Sequence, residues 1–488
     1  MIFNKNCKLS GHSEYPVSIL LSPPLTESFE LTLARALDLK KSGVPIKVLY
    51  CDGKVMGCVA NPFLQKALCN HCRNVRTIAF KEYFSNEDVI ALDSFYPVQV
   101  EEFKPIEEKL MKRLDDIMYG VESTILTFYR VDIKNLRNKW DVRTPFFFTM
   151  SNNFNEYSLF VFRCLANYLA KTHSQKIEFF NGRIVPTKAA LCAAIDSGAN
   201  FSVIEVSGAE KSLFMSHNKS VHDLDYLKER IKLYMASNRV NEELGNQFFV
   251  QRRTGIKTND PTFIKNQKQG YFDYDDKQNI IAIFTSSPDE LQISGDQWFT
   301  NASKDPSSFI ISLRALLPEN YIIVVRMHPN QQGDRTGNSK EMIAKLSGIK
   351  GVDLIKPLDP HSTYELIDIS DYVLTFGSTV GLEATYWNKP SIQAGRSLWE
   401  DADVVYMVDT PDEVVDLLQK KPKPCSKEQA IKMGSYFMDT LDESKSLSWG
   451  DKGRYGFFAD GKSYLKFKRK SIAYYASRIF DKILRFTW

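Results

Sequence analysis

Between residues 16 and 50 the chain alternates short apolar runs with an amphipathic stretch. "PVSILLS" is followed by "ESFELTLARALDLKKSG", where Phe29, Leu33, Ala36 and Leu37 fall at helical spacing and Gly43 is the stop; "VPIKVLYC" comes next. Strand, helix and strand in about 35 residues make the unit of a parallel sheet. Residues 160–206 repeat the alternation: helix "SLFVFRCLANYLAKT", strand "KIEFF", helix "TKAALCAAIDSGA", strand "FSVIEV". Residues 222–252 read as one long helix. After the polar stretch "TGIKTNDPTFIKNQKQGYFDYDDKQN" the alternation restarts at "IIAIFTSS" and runs to "PSIQAG". This rhythm predicts an α/β protein with two Rossmann-like, doubly wound domains. The expected limits are 1–255 and 279–445, joined by a linker at 256–278 and followed by a C-terminal segment, 446–488.

Composition narrows the function classes. The 488 residues carry 43% hydrophobic and 25% charged side chains, an ordinary globular balance. A net charge of +4 is too small to suggest a nucleic-acid binder. Eight cysteines do not make a secreted disulfide scaffold, "MIFNKNCKLSGHSEYP" lacks a long apolar core, and no run of 18 apolar residues occurs. The expected compartment is the cytoplasm.

In open α/β sheets, ligands sit beyond the carboxyl ends of the strands. In the second domain those ends read Thr285-Ser286-Ser287, Arg326-Met327-His328-Pro329-Asn330, Pro357, Gly377-Ser378-Thr379 and Gly395-Arg396. The set is small, hydroxylic and basic. Glycine lets backbone approach a ligand, helix N–H groups and the Ser378 and Thr379 hydroxyls suit phosphate, and Arg326 and His328 bring charge. Glu383, one turn further on, is of the type that accepts a ribose hydroxyl. The stretch "LTFGSTVGLEA" therefore reads as a nucleotide cradle, although an ordinary capped turn has the same residues.

The stretches "IFTSSPDE", "VVRMHPN", "STYELIDISDYVLTFGSTVGLEATYWNKPSI" and "FFNGRIVPTKAALCAAIDSGANFSVIEVSG" together resemble bacterial capsule and surface-polysaccharide glycosyltransferases, including the 3-deoxy-manno-octulosonic acid (Kdo) transferases. The resemblance implies the GT-B fold, two Rossmann-like domains facing across a cleft, with the nucleotide sugar on the C-terminal domain and the acceptor on the N-terminal one. It makes His328, Ser378, Thr379 and Glu383 donor contacts, and the strand-end reading adds Ser286, Ser287, Arg326, Asn330 and Gly377. "GRSLWED" after Ala394 departs from the ending of the octulosonic acid enzymes.

An inverting transfer needs a base for the acceptor proton. Glu205, at the end of "FSVIEV", has the right type and place; Asp52 in "YCDG" is a second strand-end acid. Asn181 and Arg183 end the preceding strand and are expected to position acceptor or donor. A turn-capping role explains each of these acids as well. Cys51, Cys58, Cys69 and Cys72 cluster within 22 residues, but their spacing fits buried thiols better than a structural zinc. "GFFADGKS" matches the P-loop pattern without its flanking strand and long α/β domain. In the tail, Ile472, Tyr475, Ala476, Ile479, Phe480, Ile483 and Leu484 fall at helical spacing among Lys466, Lys468, Arg469, Lys470, Arg478, Lys482 and Arg485. Such a basic amphipathic helix suits an anionic membrane surface, and also packing against a domain.

The sequence thus points to a metal-independent GT-B glycosyltransferase without a cofactor, peripheral at the inner face of the cytoplasmic membrane through residues 463–488. By the resemblance it takes a CMP-activated acidic sugar first and UDP-sugars next, onto a lipid-linked or growing surface glycan such as capsule, O-antigen or lipopolysaccharide. A nucleotide-sugar 2-epimerase, a polyol-phosphate transferase and a non-catalytic assembly scaffold are the alternatives.

Overall fold

The computed structural model describes residues 16–26, 28–129, 131, 133, 144–172, 174–207, 212–255, 267–270, 272–275, 277–286, 296–331, 337–439, 441–449, 457–460, 475 and 479. These fall into two compact units. One takes the described residues up to Ile125, those from Thr144 to Val221 and those after Asp439; the other is built on His222–Asp439.

In the first unit, β1 (Val17–Leu20), α1 (Ser28–Lys41), β2 (Ile46–Tyr50), α2 (Lys66–Tyr83) and β3 (Val89–Ala91) are followed by the long helices α3 (Val100–Tyr129) and α4 (Thr144–Thr172). Then come β4 (Lys176–Phe180), α5 (Thr187–Asp196), β5 (Asn200–Val206) and β6 (Ser212–His217). The seven-stranded sheet has the order β13-β6-β5-β4-β1-β2-β3, with β13 (Asp442–Glu443) supplied by the returning chain. Strands β1 to β5 are parallel, and β6 and β13 are antiparallel to their neighbours. Helix α1 buries Phe29, Leu33, Ala36 and Leu37, the positions its periodicity marks. Its carboxylates also hold the returning chain: Asp38 accepts from Ser446 N at 2.9 Å and from the Ser444 hydroxyl.

The second unit contains α6 (Leu224–Met235), α7 (Glu242–Thr254), β7 (Asn279–Phe284), α8 (Pro306–Leu316), β8 (Tyr321–Arg326), α9 (Asn338–Leu346) and β9 (Val352–Ile355). After them come α10 (Thr363–Ile369), β10 (Tyr372–Thr375), α11 (Val380–Tyr386), β11 (Ser391–Gln393), β12 (Tyr406–Met407), α12 (Pro411–Gln419) and α13 (Lys427–Met438). Its six-stranded sheet, β12-β11-β10-β7-β8-β9, is parallel throughout. Alternate residues of β7 enter different cores, Ile281 and Ile283 on one face, Ile280, Ala282 and Phe284 on the other. A sheet covered on both faces demands such continuous apolar strands. The expected α/β class with two Rossmann-like units is therefore the observed one.

Two expectations differ from the structure. The units divide at Val221 and Asp439, whereas the sequence suggested 255 and 445. Residues 222–254 go with the second unit because Phe249 stacks on Tyr386 at 4.0 Å and Arg252 pairs with Glu383. The long helix expected at 222–252 is two helices. The Ser435 hydroxyl of α13 meets Tyr234 Oη at 2.8 Å and accepts from Asn241 N at 2.9 Å, fixing the break; Asn241 then caps α7.

Candidate functional site

In the second sheet the chain runs β7-β8-β9 to one side and then returns to place β10 on the other side of β7. The carboxyl ends of β7 and β10 therefore flank a topological switch point, where such sheets bind ligands. Ser286, after β7, donates its hydroxyl to Phe376 O across that point at 3.1 Å. Beside it, Thr285 Oγ donates to Gln331 Oε1 at 2.8 Å. His328 N donates to both Thr285 Oγ and Gln331 Oε1, at 3.0 and 2.8 Å. His328 Nδ1 accepts from Asn330 N at 3.2 Å, which in a neutral ring leaves the proton on Nε2. Arg326 closes β8 with only 3% of its surface exposed. Burial pulls its basicity down to about 10, so it is still a cation at neutral pH.

Gly377 takes φ 98°, and a Cβ there would lie 2.5 Å from Arg396 O; a Cβ on Gly395 would lie as close to Phe376. The two loops pass at a distance only glycine permits. Ser378 Oγ accepts from Val380 N at 3.3 Å. Helix α11 has seven residues, so its dipole contributes little, and positive charge at this edge comes from side chains.

Glu383 is placed differently from a ribose acceptor open to solvent. It is 2% exposed. Its Oε1 accepts from Arg252 Nε at 3.0 Å and from Thr379 Oγ at 3.3 Å, and Tyr364 donates to Oε2. Arg252 Nη2 also donates to Thr379 Oγ at 2.9 Å. Of the residues the sequence marked, the structure gathers Ser286, Arg326, His328, Asn330, Gly377, Ser378, Thr379 and Glu383 along one edge; Ser287 lies outside the described residues. Sequence reasoning missed Thr285 as a partner, together with Gln331, Tyr364 and Arg252. Only Gln331, three residues after His328, carried a local signal.

At the first sheet's edge, Asn181 and Gly182 adopt φ 61° and 70° in succession after β4. This turns the Asn181 amide onto Glu205 Oε2, while Glu205 Oε1 accepts from Val206 N at 2.9 Å. Arg183 N donates to Asn181 Oδ1 at 3.2 Å. Burial raises the Glu205 pKa, and the Val206 N–H and Asn181 amide only partly offset it. Asp52 follows β2 and pairs with Arg76 Nη2 at 3.3 Å. Strands β5 and β2 are three positions apart in the sheet, roughly 14 Å at the usual strand spacing, so the two acids do not converge on one atom.

Cys51, Cys58, Cys69 and Cys72 line one pocket of about 40 Å³ at the ends of β1 and β2, with Asp52 and Tyr157. Burial raises the Cys51 and Cys72 thiols and pushes Cys58 up to about 12, so these groups stay protonated. Among the described residues no three His, Cys, Asp or Glu side chains are placed to hold a metal. Of the P-loop-like stretch, Phe457–Ala459 forms an antiparallel pair with Leu447–Trp449, and Gly456 and 461–463 lie outside the described residues. A P-loop strand would instead lead into a helix. The basic tail at 463–488 lies outside the described residues apart from Tyr475 and Ile479. Among the described residues no helix is long and apolar enough to cross a membrane.

No protein-family model matches the chain, and neither does any curated protein. Solved structures similar to it include two from Thermosulfurimonas dismutans. One is KpsC, beta Kdo 2,4 transferase (12% identity, 57% of this chain and 83% of that one, TM-score 0.36). The other is KpsC, beta Kdo 2,7 transferase (14%, 62% and 88%, 0.37). The UDP-GlcNAc 2-epimerase of Neisseria meningitidis bound to UDP-GlcNAc is a third (12%, 86% and 97%, 0.32). At these identities the chemistry has to be argued from the chain's own residues.

Proposed function

We propose that this chain is a GT-B glycosyltransferase that takes a sugar from a nucleotide donor bound at the carboxyl edge of its second sheet. The observation that carries the reading is the gathering of buried Arg326, His328 with Nδ1 already engaged, and the Gly377-Ser378-Thr379 turn at one switch point. A buried cation, a ring N–H donor and a glycine-opened backbone suit a phosphate that leaves with negative charge. With Arg326 supplying the countercharge and His328 a ring N–H, the reaction in this reading needs no divalent ion.

The acceptor belongs to the first unit, where Glu205 removes its hydroxyl proton as the oxygen attacks the anomeric carbon and the nucleotide departs with the bonding pair. Asn181 orients the carboxylate and Arg183 stands beside it. A CMP-activated acidic sugar is the first donor to test, by the resemblance of the strand-end motifs, with UDP-sugars second. A lipid-linked surface glycan is the matching acceptor, reached from the membrane surface through the basic segment 463–488.

The test is a thermal-shift titration with CMP, CDP, UMP, UDP and GDP, with and without magnesium, on wild type and His328→Ala. A ligand at 100 times its dissociation constant stabilises by about 2.7 kcal/mol. Selective, magnesium-independent stabilisation lost in His328→Ala is expected. No stabilisation by any nucleotide would remove the donor site and leave the scaffold alternative.

A further inference from the structure

Arg252 is held by the second sheet's edge, yet it comes from a helix far away in sequence. Helix α7 is brought in by close packing on α13: a Cβ on Gly245 would lie 2.2 Å from Ile431 O, and one on Gly434 would lie 2.6 Å from Gly245 O. Its last turn ends at Gly255 in the left-handed conformation and carries two successive arginines. They do different things. Arg253 forks onto Asp368, a carboxylate 47% exposed, and lies over Trp387 at 4.5 Å, which is an ordinary surface pairing. Arg252 puts Nε on Glu383, whose side chain is 3% exposed, and Nη2 on Thr379.

Both partners of Arg252 belong to the Gly377–Glu383 stretch. Both oxygens of the Glu383 carboxylate, only 3% exposed, are already engaged, Oε1 by Arg252 and Thr379 and Oε2 by Tyr364. The guanidinium is thus anchored at two nitrogens. Its third, Nη1, makes no hydrogen bond among the described residues, and 37% of the side chain is open to solvent. A planar cation fixed at two points with a third donor uncommitted is preorganised for an anionic oxygen.

Resting on the nucleotide-donor reading above, we propose that Arg252 is a ligand-contact residue of the second unit, giving Nη1 to a phosphate oxygen of the donor, and that Glu383 is the positioning residue that aims it. Glu383 then acts on phosphate recognition through Arg252, and the ribose hydroxyls are not its ligands. The distinction matters because a ribose acceptor discriminates between sugars, whereas an arginine anchor discriminates only by charge.

The experiment is isothermal titration of the full chain with inorganic pyrophosphate, with the nucleotide that wild type binds best, and with its 2′,3′-dideoxy form. Arg252→Met is expected to weaken pyrophosphate and nucleotide by the same factor, 10- to 100-fold on the scale of a lost charge-assisted bond. Glu383→Gln weakens both as well and leaves the ratio between ribo and dideoxy forms unchanged. Arg252→Lys keeps a charge for Glu383 and so protects folding, but loses the third nitrogen and binds as weakly as the Met variant. Arg253→Met binds as wild type does. If Glu383→Gln leaves pyrophosphate untouched and erases a preference for the ribo form, Glu383 is the ribose acceptor and the assignment falls. If both Arg252 variants bind as tightly as wild type, the assignment falls while the donor reading stands. If wild type binds neither pyrophosphate nor any nucleotide, the donor reading fails and takes this assignment with it.

Discussion

At the carboxyl edge of the second sheet the ionisable group withdrawn from water is a base, the buried Arg326; at the edge of the first it is an acid, the half-buried Glu205. Removal from water acts on both in the same sense, favouring the neutral form, and so lowers one and raises the other. The outcomes differ because the starting points differ. Arginine begins so far above neutral pH that it remains charged after a large loss. Glutamate begins at 4.5, and any rise moves it toward the pH at which an enzyme works. In the proposed reading, one physical effect therefore supplies a fixed countercharge at one edge and a proton acceptor at the other.

The largest effect expected from breaking this contrast is at Glu205. Glu205→Gln should lower turnover by 10²- to 10⁴-fold, the usual range for a lost general base, while nucleotide affinity in the titration stays at the wild-type value. A parallel loss of nucleotide affinity would merge the two edges into one role. Gly377→Ala comes next: its φ of 98° and the 2.5 Å approach to Arg396 O should cost about 1–3 kcal/mol of backbone strain before the clash is counted, read as a fall in Tm. Arg326→Met should weaken nucleotide binding about 10- to 100-fold with little loss of Tm, since an apolar side chain relieves a desolvated charge. A large drop in Tm would show that the arginine is structural.

The pH dependence sharpens the comparison further. The folded-state pKa of Glu205 is raised, so the native state holds its proton more firmly than the unfolded chain does. The stability this gives is complete below the unfolded value near 4.5 and is lost as pH climbs through the folded value. Glu205→Gln should then gain stability relative to wild type as pH rises above 4.5, measured as a growing difference in Tm. The acid limb of kcat/KM, which reports deprotonation of the base, should likewise lie above 4.5. The smallest effect is in the thiol pocket: labelling of Cys51, Cys58 and Cys72 by iodoacetamide should be slow at pH 7 and accelerate only well into the alkaline range. Fast labelling at pH 7 would mean thiolates and a reactive cluster.

What the sequence made legible is what local pattern encodes. Strands buried on both faces are continuous apolar runs, and the glycine-hydroxyl turn after β10 announces itself in "FGST". The same reading marked Asn181 at the end of the strand before that of Glu205, and the two strands pair, as strands in succession usually do. It did not find Arg252, which is 131 residues from Glu383 and sits in a helix turn with no unusual pattern. Nor did it find the break between α6 and α7, since Tyr234 and Asn241 are tied by a serine roughly 200 positions downstream, a tertiary contact that overrides helical periodicity. Glu383 was visible as an acid one turn into α11, but its partners were not, and the partners decide what a buried carboxylate can bind.

The return of the chain to the first unit sets an order of events during synthesis. The hydroxyl of Ser212, the first residue of β6, bonds to Asp442 O across 230 positions, and Asp38 of α1 waits still longer for Ser444 and Ser446. At about 5–20 residues per second, a ribosome takes roughly 10–50 s to make that interval. Until then the first sheet has six strands, an open edge at β6 and an Asp38 without its two serine partners, whereas His222–Asp439 lies in one continuous stretch and is complete once Asp439 emerges. The unit made first is therefore the one finished last, and its exposed edge is where a nascent-chain chaperone would find its substrate.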